Sequence, residues 1–320
     1  MTKNTFNILV GLTLTLGLLW SCHNKPKNSR TDTYSSGTMS FASDESFSPI
    51  IEEMREVFEH TYPEAKVKPI YTNELDGINM LKETKVWLTV ASRRLKESEV
   101  KDFADLKKYI ARSIPIAYDG LALIVNNENP DTCISIKDIK RILSGEVTKW
   151  NEVFPQNKLG TFDVVFDNAK SSTVHFCVDS ILGGKPINSP NIEAVKKSEE
   201  VINYVSAHKN AIGIIGSNWL NDARDTTNVT FKKNIRVVSV SRLDNATAMN
   251  SWKPYQYYIY NGNYPLVRTI YALLTDPRQG LPWGFANFLQ SPIGQKIIFK
   301  AGLLPARGNM AVREVVVNTK

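Results

Sequence analysis

The sequence has little sulfur and little histidine. Three cysteines and four histidines are spread over 320 residues, and the histidines, at positions 23, 60, 175 and 208, do not stand at metal-ligand spacing from Cys, Asp or Glu. That spread excludes a zinc finger or ribbon and a dense disulfide framework. Neither G-x-x-x-x-G-K-S/T nor G-x-G-x-x-G occurs, which argues against a nucleotide phosphate loop. There is no G-x-S-x-G elbow, and Ser171, His175 and Asp179 could form a hydrolytic set only along one helix, so no enzyme activity is expected. Basic residues are scattered, with pairs such as Lys107-Lys108, Lys196-Lys197 and Lys232-Lys233 near acids or in polar stretches, and no basic stripe is interleaved with aromatics. The net charge of +7 therefore predicts no nucleic-acid partner. It does suit the attraction of small anions. Beyond the N-terminus no apolar run approaches membrane-spanning length.

What is present begins with a leader. Residues 8–20 are almost wholly apolar, follow a short polar start with Lys3, and end Leu18-Leu19-Trp20-Ser21-Cys22. Such a run is short for a bilayer span and suits a signal peptide over 1–21. A Cys after a small residue at its end resembles a bacterial lipobox, which implies cleavage before Cys22, a lipid on its thiol, and a periplasmic protein anchored to a bacterial membrane. An ordinary secretory signal is the alternative. Residues 22–37 are polar and read as a flexible tether. Of the remaining cysteines, Cys177 falls on an apolar helical face and reads as a small core residue. Sequence alone does not pair it with Cys133.

The most informative stretch runs from Val164 to Leu182. The run Val164-Val165-Phe166 gives way to Asp167-Asn168-Ala169-Lys170. Three hydroxyls follow, Ser171, Ser172 and Thr173, and then apolar residues at helical spacing, Val174, Cys177, Val178, Ile181 and Leu182. This predicts strand, loop and helix, with the triplet at the helix N-terminus. There it either caps the helix or holds an oxyanion.

Upstream, strands are expected over 38–42, 66–71 and 86–90, and helices from Ser48-Pro49, over 75–83 and over 98–110. Asp44 and Glu45, at the first strand end, read as a solvated or capping acidic pair whose adjacent side chains diverge. Downstream, strands are expected over 121–125, 162–166, 211–215 and 235–240. Helices are expected over 135–143, 198–208, 264–274 and 285–289. The alternation predicts an α/β protein with parallel sheet and ligand sites at strand C-termini. Two such ends carry polar groups suited to a ligand, Ser43-Asp44-Glu45-Ser46 and Ala91-Ser92-Arg93-Arg94.

Five segments in order carry a family resemblance. They are 117–126 (AYDGLALIVN), 139–151 with its Ser-Gly and Lys-Trp-Asn, 210–215 (NAIGII), Tyr264-Pro265-Leu266-Val267-Arg268, and Gly302-Leu303-Leu304-Pro305. Together they resemble phosphate ABC transporter substrate-binding proteins over about 38–307. The resemblance implies a two-lobed type II periplasmic-binding-protein fold with an interlobe ligand cleft. Lobe 1 is expected from 38–116 and 252–320 and lobe 2 from 117–251. The crossovers are expected near 116–120 and within 240–257.

The resemblance also implies site residues. The family's Thr-Phe loop resembles Ser46-Phe47, and its Ser-Gly-Thr resembles Ser171-Ser172-Thr173. Its Ala-Ser-Asp falls on Ala91-Ser92-Arg93, and its Arg before Ser-Gly-Thr falls on Asp167, so the two charges are exchanged. Ser46, Phe47, Arg93, Ser171, Ser172 and Thr173 are expected at the ligand, with Glu45, Ser92 and Asp167 nearby. Arg93 would donate to an oxyanion, Asp167 would accept or pair with it, or the two would bridge across an altered cleft. The implied function is an extracytoplasmic lipoprotein, expected monomeric and without cofactor, that captures phosphate or a related oxyanion for an ABC permease. The alternative is an interaction or sensor protein that keeps only the fold.

Overall fold

The computed structural model describes residues 30–221 and 231–308. Cys22 and the leader lie outside the described residues. The first α/β stretch is β1 (Gly37–Asp44), α1 (Ser48–Thr61), β2 (Ala65–Thr72), α2 (Glu74–Lys82), β3 (Leu88–Ala91), α3 (Glu97–Lys107) and the long β4 (Arg112–Val125). Next come β5 (Cys133–Ser135), α4 (Ile136–Ser144), α5 (Trp150–Val153), β6 (Asp163–Phe166), α6 (Ser172–Phe176), β7 (Ile192–Ala194), α7 (Ser198–Ala207) and β8 (Ala211–Gly216). The chain closes with β9 (Arg236–Val237), β10 (Ser239–Ser241), α8 (Gln256–Tyr260), β11 (Val267–Leu274), α9 (Leu281–Gln290), α10 (Pro292–Lys300) and β12 (Leu304–Pro305).

The main sheet runs β2-β1-β3-β11-β4-β8-β6-β7. β1 is parallel to β2 and β3, and β6 is parallel to β7 and β8. Between these parallel wings stand antiparallel pairings of β11 with β3 and of β4 with β11 and β8. β4 serves both halves: its first part pairs with β11, and residues Leu121 to Val125 pair with β8. Its second part is buried without a break, as a strand covered on both faces requires. On one side Phe41, Phe47, Met54, Phe58 and Phe285 form a core. On the other, Leu123, Leu143, Trp150, Val164 and Cys177 form a second. Cys133 and Cys177 are both free thiols, and Cys177 is buried.

Two expected elements differ. Residues 264–274, expected as a helix, form strand β11, inserted between β3 and β4. Its side chains alternate, with Arg268, Ile270 and Ala272 fully inward and Val267, Thr269 and Tyr271 half-buried. The β-branched and aromatic residues favour such a surface, and the inward arginine disguised the alternation. Residues 235–240, expected as one strand, split at Val238, since β9 pairs with β4 while β10 pairs with β5 in a separate two-stranded sheet.

Candidate functional site

The centre of the site comes from β11 and β4. Arg268 stands opposite Asp119 in the antiparallel register. The two form a buried ion pair, with Nε and Nη2 of Arg268 at 2.9 and 2.8 Å from Asp119 Oδ2. The Ser217 amide and hydroxyl donate to the other carboxylate oxygen. The guanidinium lies 4.6 Å from the centre of the Phe47 ring, an arrangement that suits a desolvated cation. Its Nη1 donates to Ser172 Oγ at 2.7 Å, and its Nη2 reaches Ser46 Oγ at 3.4 Å. The two hydroxyls are 3.0 Å apart. Strand pairing thus holds Arg268, and two loops from opposite halves bring their serines to it.

The β1 loop supplies Ser46. Asp44 caps the short 3-10 turn Glu45–Phe47 by accepting from the Ser46 amide. Its other oxygen accepts from the Ser172 amide at 3.0 Å, across the halves. Glu45 turns away to α7, where it accepts from the Ser198 amide and hydroxyl. The pair does cap and does diverge, but Asp44 is buried rather than solvated. The Ser46 carbonyl accepts from Asn218 Nδ2 and Trp219 Nε1. These cross-links join the halves directly.

The hydroxyl triplet stands where its pattern predicts. Ser171 is the N-cap of α6 and accepts from the Val174 amide. Its hydroxyl donates to Asp167 Oδ1 at 2.7 Å, and Thr173 Oγ1 donates to Asp167 Oδ2 at 3.3 Å. Ser172 alone turns its hydroxyl to Arg268. Burial and the neighbouring Asp44 push the Asp167 carboxyl up to about 7, against the lowering effect of Ser171 and Arg268. Burial likewise raises Asp44 and Glu45.

The second strand end behaves differently. Ser92 donates its amide and hydroxyl to the buried Glu74, whose other oxygen meets His175 Nδ1 at 3.0 Å. Burial would raise Glu74, but the His175 and Ser92 hydrogen bonds outweigh it and lower the carboxyl. The same contact raises His175. Arg93 is not brought to the cluster and does not meet Asp167. It forks onto Glu99 through Nη1 at 2.8 Å and Nη2 at 3.0 Å. Glu99 also takes Lys82 and the Lys96 amide. Burial opposes these bonds, yet they bring Glu99 down to about 2. The nearer, already oriented carboxylate of α3 takes the guanidinium.

The structure therefore gathers Ser46, Phe47, Ser171, Ser172, Thr173 and Asp167, with Glu45 at the edge, and leaves Arg93 and Ser92 outside. Residue patterns mark Asp44 only within the Ser43–Ser46 strand end, and do not mark Asp119, Ser198, Asn218 or Arg268 as a site. Arg268 ends the Tyr264-Pro265-Leu266-Val267-Arg268 segment, and only as a strand does that segment place it opposite Asp119. Chemically the cluster offers one compensated guanidinium, two central hydroxyls and a ring of buried carboxylates.

A family model described as the PBP superfamily domain matches residues 28–292. The phosphate-binding protein PstS of Pseudomonas aeruginosa is 22% identical over 302 residues, covering 88% of this chain and 86% of that protein. The protein of the same name from Borreliella burgdorferi is 24% identical, over 93% and 97% of the two chains. Among solved structures, a phosphate ABC transporter substrate-binding protein from Clostridium perfringens, described as holding bound phosphate, superposes with a TM-score of 0.69 at 22% identity. It covers 85% of this chain and all of that one.

Proposed function

Because the chain belongs to the PBP superfamily, we propose that it is an extracytoplasmic binding protein that captures phosphate or a related small oxyanion between its two halves for uptake by an ABC transporter. The observation that carries this is the convergence of Arg268, Ser46 Oγ and Ser172 Oγ at one buried point between the halves. Directed donors there replace the water an oxyanion gives up, and each neutral donor adds on the order of 1 kcal/mol net. Relatives in three organisms that are named as phosphate-binding or phosphate-transport proteins support the same ligand class. The role is binding rather than catalysis. The lipobox-like Leu19-Trp20-Ser21-Cys22 supports a lipid anchor on a bacterial membrane, and the two cores support two lobes joined through β4.

A second reading has an observation of its own. Asp44 already satisfies the Ser172 amide and Glu45 the Ser198 amide, so the halves can close on their own carboxylates, as suits an interaction or sensor protein. Isothermal titration of the purified protein with phosphate, sulfate and other small oxyanions separates the two. Saturable heat with phosphate is expected. Absence of heat with every oxyanion would give the second reading the place of the first. Mass spectrometry of membrane-extracted protein is expected to find acyl chains on Cys22, and a product cut elsewhere would remove the anchor.

A further inference from the structure

β1 runs from the far end of the sheet to the loop that carries Ser46 at the cleft. At that far end the other strands of the first half also begin. β3 and β4 both pair antiparallel with β11, so Leu88 and Arg112 stand on either side of Leu274. Gly37 of β1 pairs with Ala65 of β2, and its amide donates to the Glu64 carbonyl. The turns here are residues 62–64, 83–87, 105–112 and 276–283, and several of them hold each other. The Thr275 amide donates to the Trp87 carbonyl. Trp87 meets Tyr109 edge to face at 5.3 Å, and Arg112 lies 5.1 Å from the centre of the Trp283 ring. Lys107 reaches back to the Lys82 carbonyl and the Thr84 hydroxyl.

The surface these turns present is poorly suited to water alone. Leu106 is 79% exposed and Ile110 72%. Trp87, Tyr109 and Trp283 are half-buried beside them. Leaving aside the buried Asp276, the four turns carry five cations, Lys85, Lys107, Lys108, Arg112 and Arg278, against three acids, Glu64, Glu83 and Asp105. Glu83 is already taken by Lys85. Exposed aliphatic tips, half-buried tryptophan and tyrosine rings and a surplus of cations together match the interface of a bilayer rather than bulk water.

The backbone of the same turns is strained. Among the described residues the non-glycine positions with left-handed backbone are Thr84, Lys108 and Gln279, at φ of 61°, 59° and 50°, and each stands in one of these turns. That conformation is costly for a residue with a side chain, and such residues gather where a surface is used. At Lys108 it ends α3, with the Tyr109 amide closing on the Phe103 carbonyl, between the two exposed aliphatics. The chain that follows Cys22 enters at this end too. A Cβ on Gly284 would meet the Tyr34 carbonyl at 1.8 Å, so Tyr34 lies on the first turn of α9, next to Trp283. Thr33 is eleven residues beyond Cys22, a length of chain that reaches at most about 40 Å.

We propose that this end of the first half is a membrane-contact surface that seats on anionic phospholipid. Leu106 and Ile110 enter the headgroup layer, and Lys108, Arg112 and Arg278 meet the phosphates. The proposal rests on the reading of Cys22 as a lipid anchor. An anchor attached through so short a chain keeps the surface close to the bilayer, so contacts too weak to hold a free protein suffice. The cleft, at the other end of β1, stays turned to solvent and open to its ligand.

The test uses the full acylated chain reconstituted into vesicles of phosphatidylethanolamine and phosphatidylglycerol. Cys133 is replaced by serine, and Cys177 is buried. An environment-sensitive fluorophore is then attached through Ile110→Cys or, as the control, through Met249→Cys, at a residue 92% exposed on the loop after β10. The expected result is a blue shift with a severalfold gain in emission at residue 110 and little change at residue 249. Lys108→Glu combined with Arg112→Glu should weaken the docked state at least about tenfold, and so should vesicles of phosphatidylcholine alone. Leu106→Asp provides an independent variant, and a melting curve of each establishes the fold. Vesicle-bound protein whose probe at residue 110 is as solvated as that at residue 249 would overturn the proposal and leave the anchor standing. So would a shift indifferent to the charge reversals and the lipid, or one that appears without vesicles and grows with protein concentration, which would give the surface to a second copy of this chain. Protein absent from the vesicle fraction would remove both the anchor and the contact surface.

Discussion

The loops after β1 and β3 leave neighbouring parallel strands, and both carry a serine beside charged residues. They end in opposite places. After β1, Asp44 caps a 3-10 turn that swings Ser46 and Phe47 toward Arg268 and the other half. After β3, Ser92 folds onto Glu74 and Arg93 onto Glu99, within the same half. The difference shows what decides where a charge goes. A long flexible guanidinium binds the nearest oriented carboxylate, here one fixed by capping α3. An arginine inside a central strand has no such choice, and its partner is set by register.

Removing Arg268 should break the contrast most severely. Arg268→Ala leaves Asp119 buried without a counter-charge, which costs about 3–5 kcal/mol for pairs of this kind. Urea denaturation should show that loss, and phosphate heat should vanish with it. Loss of under about 1 kcal/mol would mean that the pair is not the centre of the cleft.

Smaller steps sharpen the comparison. Ser46→Ala or Ser172→Ala each deletes one neutral hydroxyl from the Arg268 cluster, and phosphate affinity should fall by a free energy of about 1 kcal/mol. Ser92→Ala, its counterpart after β3, should leave affinity unchanged. Equal effects from the two loops would count against the placement of the ligand.

The Glu74–His175 contact links the two halves and carries a pH signature. His175 is raised from its ordinary 6.5, so its contribution is full below that value and is lost as pH rises through the raised one. Glu74 is lowered from its ordinary 4.5, so its contribution is present above that value and is lost as pH falls through the lowered one. The contact is therefore strongest between 4.5 and 6.5. Solvent reaches the histidine, and screening limits the effect to under about 1 kcal/mol. His175→Ala should lower the melting temperature more at mildly acidic pH than at alkaline pH. A uniform shift would mean the contact does not titrate.

Arg93→Ala should have the smallest effect on function. It breaks a half-buried fork onto Glu99, worth up to about 1 kcal/mol of stability after screening, and should leave phosphate affinity within about twofold. A large loss of affinity would restore Arg93 to the ligand.

Much of the architecture is readable from residue pattern. Val164 to Phe166 followed by the hydroxyl triplet predicts the β6–α6 turn, and Ser135 and Gly145 bracket α4 as cap and left-handed stop. The arrangement around Arg268 is harder to read. A buried arginine interrupts the apolar period of β11, and its partner Asp119 lies 149 residues away. The role of Asp44 depends on a 3-10 turn and on an amide in the other half, and local sequence encodes neither. Arg93 misleads for a related reason, since motif position says where a residue stands but not which of several carboxylates it meets.

The central claim is that the oxyanion is held between the halves at Arg268 and Ser172 rather than at Arg93. Arsenate, a phosphate analogue with a strong anomalous scatterer, soaked into crystals of the protein locates the site directly. The account predicts an anomalous peak within hydrogen-bonding reach of Arg268 and Ser172 Oγ. A peak beside Arg93, or none in the cleft at saturating arsenate, would contradict it.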